Sequence, residues 1–450
     1  MHAERLGRDE VQSLGGPAGV AERMRSLVPG GASVEEDVEV IIANVWEGGD
    51  AAVLDLTREY DTGGADPRPL LVEPEELDEA IKTLPLDVVA GLQVAIANVA
   101  QVAQATIDEA EVAVDLAQGQ RVTLREVPVQ AAAVYVPGGR AAYPSTAVMG
   151  VVTARAAGVL EVAVCSPPGG DGEIDGTILG TCRLLGVERV YRMGGAQAIA
   201  ALAYGTQTVG RVDVIVGPGN LYVQEAKRQL AERVGIDGFA GPSDLLVVFG
   251  EDADPRLVAL DLAAQAEHGR GSLVAAVSPS LGALDLLEDE LRGLAEEHAE
   301  LRGAACVLVQ SADTREALEI ANCFAPEHLE LIGAEPEGLA RVAHSAGCVF
   351  VGAAAATAFG DYVAGSNHIL PTGGAARFGS GLSPRHFRRR VAEVRLGEVG
   401  GETASKLAAA GAPIARAEGF ELHARSMEAR AAGAQPPRAG IGENQGDELR

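Results

Sequence analysis

The chain has 450 residues, 47% of them hydrophobic, enough to bury a large core divided over two or more domains. A formal charge of −28 and a pI near 4.7 exclude nucleic acid and anionic membrane as partners, since either needs basic patches, and leave a small-molecule ligand. Five cysteines with no Cys-x-x-Cys argue against a disulfide framework or a thiolate zinc site, and for core thiols in a reducing cytosol.

The opening residues, Met1-His-Ala-Glu-Arg-Leu-Gly-Arg-Asp-Glu10, carry acids and no apolar signal region, and no uninterrupted apolar stretch approaches a membrane span. A cytoplasmic protein is expected. Ser33-Val-Glu-Glu36 reads as a capping box opening a helix with the apolar stripe Val38, Ile41, Ile42 and Val45. A mainly helical, acidic segment follows to about residue 118. The pattern then alternates β-branched runs with helices: Ala132–Val136, Val162–Cys165, Val187–Tyr191 and Val212–Val216, each followed by a glycine- or proline-bearing turn. A second set, Leu245–Phe249, Leu273–Val277, Ala305–Val309 and Cys348–Val351, predicts another αβ layer. Such alternation implies crossovers and a parallel, doubly wound sheet. From about residue 385 no further strands are expected: Arg385–Arg395 is basic, Leu407–Met427 is helical, and Ala431–Arg450 has the composition of a disordered tail.

Ligands of open α/β sheets bind outside the carboxyl ends of the strands, which is where Tyr135-Val-Pro-Gly-Gly139, Met193-Gly-Gly-Ala-Gln197 and Gly217-Pro-Gly-Asn220 fall. Glycines there let backbone amides approach a pyrophosphate at a helix N-terminus; without a Gly-x-Gly-x-x-Gly, ordinary tight turns explain them equally well. The C-terminal half carries a different chemistry. Seven of eight histidines lie at or after position 268, several beside carboxylates: Gln265-Ala-Glu-His268, Ala-Pro-Glu327-His328-Leu-Glu, Asp361-Tyr-Val-Ala-Gly-Ser-Asn-His368 and Glu418-Gly-Phe-Glu-Leu-His423. Imidazole and carboxylate bind divalent metals and move protons near pH 7.

Gln265 and His268 sit three apart near the end of a predicted helix, 255–268, and so share a face that can address one metal ion, with Asp361 and His423 arriving from elsewhere. For any single pair of this kind an exposed helix end with a dipole-favoured histidine is the commoner arrangement. Glu327-His328 follows Pro326 and begins a strand-like run; neighbours in a strand face opposite ways, so both serve one pocket only from a helix-to-strand connector. His2, His298, His344 and His386 read as surface or packing residues.

Together the segments resemble histidinol dehydrogenase, a zinc- and NAD-dependent family. Matching segments run in family order from about Val134 to His423: Tyr-Val-Pro-Gly-Gly-Arg-Ala-Ala-Tyr-Pro-Ser, Gly-Gly-Ala-Gln-Ala-Ile-Ala-Ala-Leu-Ala-Tyr-Gly-Thr, Val-Gly-Pro-Gly-Asn, Ala-Gly-Pro-Ser, Gln-Ala-Glu-His-Gly, Ala-Pro-Glu-His-Leu-Glu, Gly-Asp-Tyr with Gly-Ser-Asn-His-Ile-Leu-Pro-Thr, and Glu-Gly with His-Ala. The resemblance implies one Zn2+ per subunit on Gln265, His268, Asp361 and His423, with NAD+ contacts at Tyr135, Gln197 and Asn220. It makes Glu327 and His328 catalytic, and gives L-histidinol Ser243, Gln265, His268, His328, Asp361, His368, Glu418 and His423. The implied reaction oxidises L-histidinol to L-histidine through L-histidinaldehyde, reducing two NAD+, in an intertwined homodimer with shared active sites.

The implied fold is α/β, with two incomplete Rossmann-like parallel-sheet domains plus a small helical N-/C-terminal dimerisation portion. The expected division is a helical arm (1–32), a first αβ domain with metal and catalytic residues (33–133 and 245–384), a second with the NAD loops (134–244), a dimer-swapped segment (385–430) and the tail (431–450). The chain departs from the family at Asp244, where glutamate is usual, and at Val152-Thr-Ala-Arg155. Two rivals stand beside this reading. A paralogue acting on another polyol, such as a sulfonated diol, is opposed by His368 and Glu418; a catalytically dead scaffold is opposed by Glu327-His328.

Overall fold

The structure, a computed structural model, describes residues 3–28, 33–107, 111–138, 141–239, 241–269 and 271–433. His2, Gly139 and the tail from residue 434 onward lie outside the described residues. The chain divides into two compact units, one of residues 1–107 and 128–388, the other of 108–127 and 389–450.

The first unit holds two parallel sheets. In the six-stranded sheet the order is Ala3–Leu6, Ala305–Gln310, Leu273–Ser278, Asp244–Phe249, His328–Ile332, Cys348–Val351; in the five-stranded sheet it is Arg189–Arg192, Glu161–Ser166, Ala131–Tyr135, Val214–Val216, Gly235–Ile236. Their strands are nearly continuous apolar runs because both faces are covered. Leu245, Val247 and Phe249 enter one core and Leu246 and Val248 the other; Ala132 and Val134 likewise oppose Ala133 and Tyr135. Apart from the strand Ala3–Leu6, each sheet grows outward in both directions from its first strand, the doubly wound order that the alternating pattern predicts.

The packing corrects three boundaries. Residues 33–133 are expected with 245–384, but their helices cover the five-stranded sheet: Glu35–Gly48 and Asp50–Tyr60 pack on Gly195–Tyr204, Pro74–Thr83 on Gly176–Leu184, and Leu86–Ala105 on Pro144–Ala156. The stripe Val38, Ile41, Ile42 and Val45 is buried in that core, as expected, although Ser33 only accepts from the Glu35 N–H and forms no full capping box. The N-terminal arm is not wholly helical, since Ala3–Leu6 adds an edge strand beside Ala305–Gln310. And strands do not stop at 385. Arg388–Arg395 joins Arg121–Pro128 and Val112–Asp115 in a three-stranded sheet belonging mainly to the second unit. Val112–Asp115 is exposed throughout, and the other two strands are half exposed and rich in charge, so none carries the buried apolar face that identifies a strand in sequence.

The second unit also contains the helical hairpin Glu402–Ala417 and Glu421–Ala431, joined through small buried residues Ala412, Ala415 and Ala424. Among the described residues one helix, Leu86–Ala105, is long and apolar enough to cross a membrane by length and composition. Its buried face, Leu92, Ala95, Val99 and Ala103, is occupied by the protein core, which accounts for its apolar length. Of the five cysteines, Cys165, Cys182 and Cys306 are buried as expected, while Cys323 is exposed.

Candidate active site

Three of the four carboxylate and imidazole clusters of the C-terminal half, those of Gln265–His268, Glu327–His328 and Asp361–His368, meet around the amino ends of two neighbouring strands, Asp244–Phe249 and His328–Ile332, which pair with His328 opposite Leu245. The helix Pro255–Ala266 runs back from the far end of the sheet, so its last turn returns to the start of the strand it left. Gln265 there is buried and donates through Nε2 to Ser243 Oγ. Ser243 Oγ in turn donates to Glu327 Oε2 at 2.5 Å, and the Asp244 N–H adds a second bond to the same oxygen at 3.2 Å. Glu327 sits in the connector before the strand and His328 opens it. That turn lets adjacent residues converge: Glu327 Oε2 lies 3.8 Å from His328 Nδ1. The other ring nitrogen, Nε2, lies 3.6 Å from Asp361 Oδ1 and, although buried, has no hydrogen-bond partner among the described residues.

Burial lifts the Glu327 carboxyl to about 7, with His328 opposing and the Asp244 charge adding. Burial works against a charged His328, yet Glu327 and Asp361 outweigh it and raise the imidazole to about 9. Asp361 ends below its ordinary value: burial pushes it up, and the histidines around it, His328 foremost, pull it down. His368 is fixed between two elements, its Nδ1 2.8 Å from the Asp361 carbonyl and its Nε2 3.1 Å from Thr146 Oγ1 on the helix Pro144–Ala156. Its burial lowers its pKa and keeps it neutral.

His268 stands at the accessible rim just beyond the helix Pro255–Ala266, close enough to Asp361 for each to feel the other's charge. Among the described residues no three His, Cys, Asp or Glu side chains converge as a metal cluster. The donors present nevertheless suit a borderline cation. Gln265 has committed its amide nitrogen to Ser243, so its carbonyl oxygen is the atom left to offer; His268 adds an imidazole and Asp361 an ionised carboxylate. The helix end contributes the negative pole of its dipole, which favours a cation at this place. Glu418, the C-cap of Glu402–Ala417, and His423, in Glu421–Ala431, are exposed in the second unit, the His423 ring 5.2 Å from Phe420.

The residues expected to meet NAD+ gather at the carboxyl ends of the five-stranded sheet. Tyr135 ends one central strand, and its hydroxyl accepts from the Gly195 N–H at 3.1 Å. Gln197, two residues on, is buried and donates to Asp61 at 3.5 Å. Asn220 caps the helix Leu221–Leu230, its Oδ1 accepting from the Val223 N–H. Tyr135 and Gln197 are therefore buried and internally bonded, whereas Asn220 is exposed. The loop before Asn220 is rigid. Gly217 has φ of 116°, a Cβ there would lie 2.1 Å from the Tyr135 carbonyl, and its N–H and C=O are held by the buried Asp237–Lys227 pair.

Sequence reasoning missed Lys227, Asp237, Asp61 and Arg25. No local spacing marks them, because their partners are loop backbone or lie far away in sequence. Of the two departures from the family pattern, Asp244 proves to touch Glu327 directly, while Arg155 donates to the carbonyls of Leu185 and Gly186 at the end of the helix Gly176–Leu184.

A family model described as histidinol dehydrogenase matches residues 29–431. Curated relatives include the histidinol dehydrogenases of Parasynechococcus marenigrum (strain WH8102), 41% identical over 404 residues with 88% of this chain and 91% of the relative covered, and of Methanosarcina mazei, 35% identical over 416 residues with 91% and 94% covered. Among solved structures, histidinol dehydrogenase from Elizabethkingia anophelis superposes with a TM-score of 0.86 at 27% identity, covering 95% of this chain and 98% of that one.

Proposed function

Because this chain belongs to the histidinol dehydrogenase family, NAD-dependent oxidoreductases of histidine biosynthesis that oxidise histidinol, we propose that it carries L-histidinol through L-histidinaldehyde to L-histidine with zinc bound and two NAD+ reduced in turn. The observation that carries this reading is the buried Glu327-His328 pair, with Asp361 against one side and Ser243–Gln265 against the other. Gln265, His268, Asp361 and His423 would hold the zinc. When bound, zinc would anchor the substrate's imidazole and amino nitrogens, and NAD+, contacted from Tyr135, Gln197 and Asn220, would take up hydride.

His328 takes the hydroxyl proton as the carbinol carbon is oxidised. Glu327 and Asp361 flank the ring and orient it for that transfer. Glu327, lifted to about 7, then removes a proton from the water that hydrates the aldehyde. The hydrate gives up the second hydride and leaves as the carboxylate of L-histidine. Ser243 orients Glu327 through the 2.5 Å bond, and His368 and Glu418 face the substrate's imidazole and amine. Steady-state NADH formation with L-histidinol against other alcohols, sulfonated diols included, tests the reading. L-Histidinol should be preferred by orders of magnitude; equal or better turnover of another alcohol would sink it.

In the same reading the protein is a cytoplasmic homodimer, and segment 385–430 delivers Glu418 and His423 to the partner's site. Co-expressing His268→Asn and His423→Asn chains with different tags decides this. A shared site leaves one of the two sites in the mixed dimer with both lesions and the other with none, so activity returns. An inactive, zinc-supplied mixed dimer means each site is built from one chain.

A further inference from the structure

The carboxylate of Glu327 is anchored by a residue that the chemistry above does not use. The Glu327 N–H donates to Asp244 Oδ1 at 2.7 Å while the Asp244 N–H returns a bond to Glu327 Oε2, so the two acids grip one another. Asp244 is almost wholly buried, and its other oxygen accepts from Arg25 Nη1 at 2.6 Å. Arg25 arrives from the helix Pro17–Ser26. Its second nitrogen, Nη2, donates to the carbonyls of Phe324 at 2.7 Å and Ala325 at 3.2 Å, and its guanidinium lies 3.7 Å from the Phe324 ring. Ala325 has φ of 52°, a conformation few side-chain-bearing residues adopt, and it begins the turn through Pro326 that delivers Glu327.

We propose that Arg25 is a positioning residue for the second oxidation, fixing Glu327 through Asp244 and the Phe324–Ala325 turn. The inference rests on the reading of Glu327 as the group that activates water. The charged and titratable groups facing Glu327 are His328 on its own segment and Asp244 from the neighbouring strand, with Ser243 as a neutral donor; Asp361 acts on it through His328. Asp244 already pushes Glu327 toward its protonated form, and Arg25 is the cation bonded to that carboxylate. Burial raises the pKa of Asp244 and Arg25 is foremost in holding it down, so without Arg25 Asp244 takes up a proton and the push on Glu327 is lost. The forked contacts also demand a guanidinium: a lysine reaches the carboxylate or the carbonyls but not both in the same geometry.

The test uses zinc-loaded Arg25→Gln and Arg25→Lys, checked for melting temperature and zinc content, with the first NADH from L-histidinol and the NADH from L-histidinaldehyde measured separately across pH. Arg25→Gln should slow the aldehyde step about tenfold on its pH plateau, because Glu327 is less well placed, and move the acidic limb downward, because Asp244 no longer opposes the charge on Glu327. The alcohol step should keep at least half its rate, and Arg25→Lys should fall between. In an Asp244→Asn background, which has no carboxylate charge to lose, removing Arg25 should no longer move the limb. Equal slowing of both steps, or an unmoved limb in the folded Arg25→Gln enzyme, overturns the inference; if Arg25→Gln does not fold, an Asp244→Asn enzyme with an unmoved limb overturns it equally. Glu327→Gln is assayed in parallel. If that variant leaves the aldehyde step intact, the reading of Glu327 itself fails; if it is slow and Arg25→Gln is normal, only the role of Arg25 does.

Discussion

Replacing His268 or Asp361 by asparagine is expected to remove zinc and turnover together. Each substitution deletes one of four proposed donors, and a site with one ligand missing would hold its ion far more weakly. The two sites of substitution differ in a way that helps the reading. His268 stands at the accessible rim, so its loss should leave the fold intact, whereas Asp361 also supports the charge on His328, so its loss should lower that pKa as well. Metal analysis of the purified variants, alongside NADH formation, decides it. Stoichiometric zinc and unchanged turnover in both would mean that the metal assignment is wrong.

Exchanging the adjacent pair should separate the reaction into halves. Loss of an acid or base typically slows its own step by about 10²–10⁴. His328→Asn keeps a buried polar group beside Asp361 but no proton acceptor, and should slow alcohol oxidation. Glu327→Gln keeps the reach to Ser243 Oγ but cannot take a proton from water, and should slow the half that begins from L-histidinaldehyde at least as severely. Supplying the two substrates separately to each variant reads the two effects. Near-wild-type rates for both variants on both substrates would remove these residues from the mechanism.

How much of this was legible in the chain depended on where each residue's partners lie. Leu245–Phe249 and Leu273–Val277 read as strands because both faces are buried and every position is apolar. Ala3–Leu6 did not, since its pairing with Ala305–Gln310 spans some 300 residues and two of its four side chains are charged. The helices of 33–107 carried clear stripes, but a stripe does not say which sheet it covers. That is decided by tertiary packing, and here it favoured the five-stranded sheet. At the site, Glu327, His328 and Gln265 stood out by residue type and spacing, and the structure brings them together with Ser243 and Asp361. Arg25 and the Lys227–Asp237 pair had no such signal: the first reaches its carboxylate across 219 positions, and the second serves a single peptide unit at Gly217.

The central claim is a four-electron oxidation at one buried Glu-His pair, and counting reducing equivalents tests it most directly. Zinc-loaded protein with limiting L-histidinol and excess NAD+ should yield two NADH for each L-histidinol consumed, with L-histidine as the final product. One NADH with aldehyde accumulating, or no NADH from a folded, zinc-loaded enzyme, would contradict it.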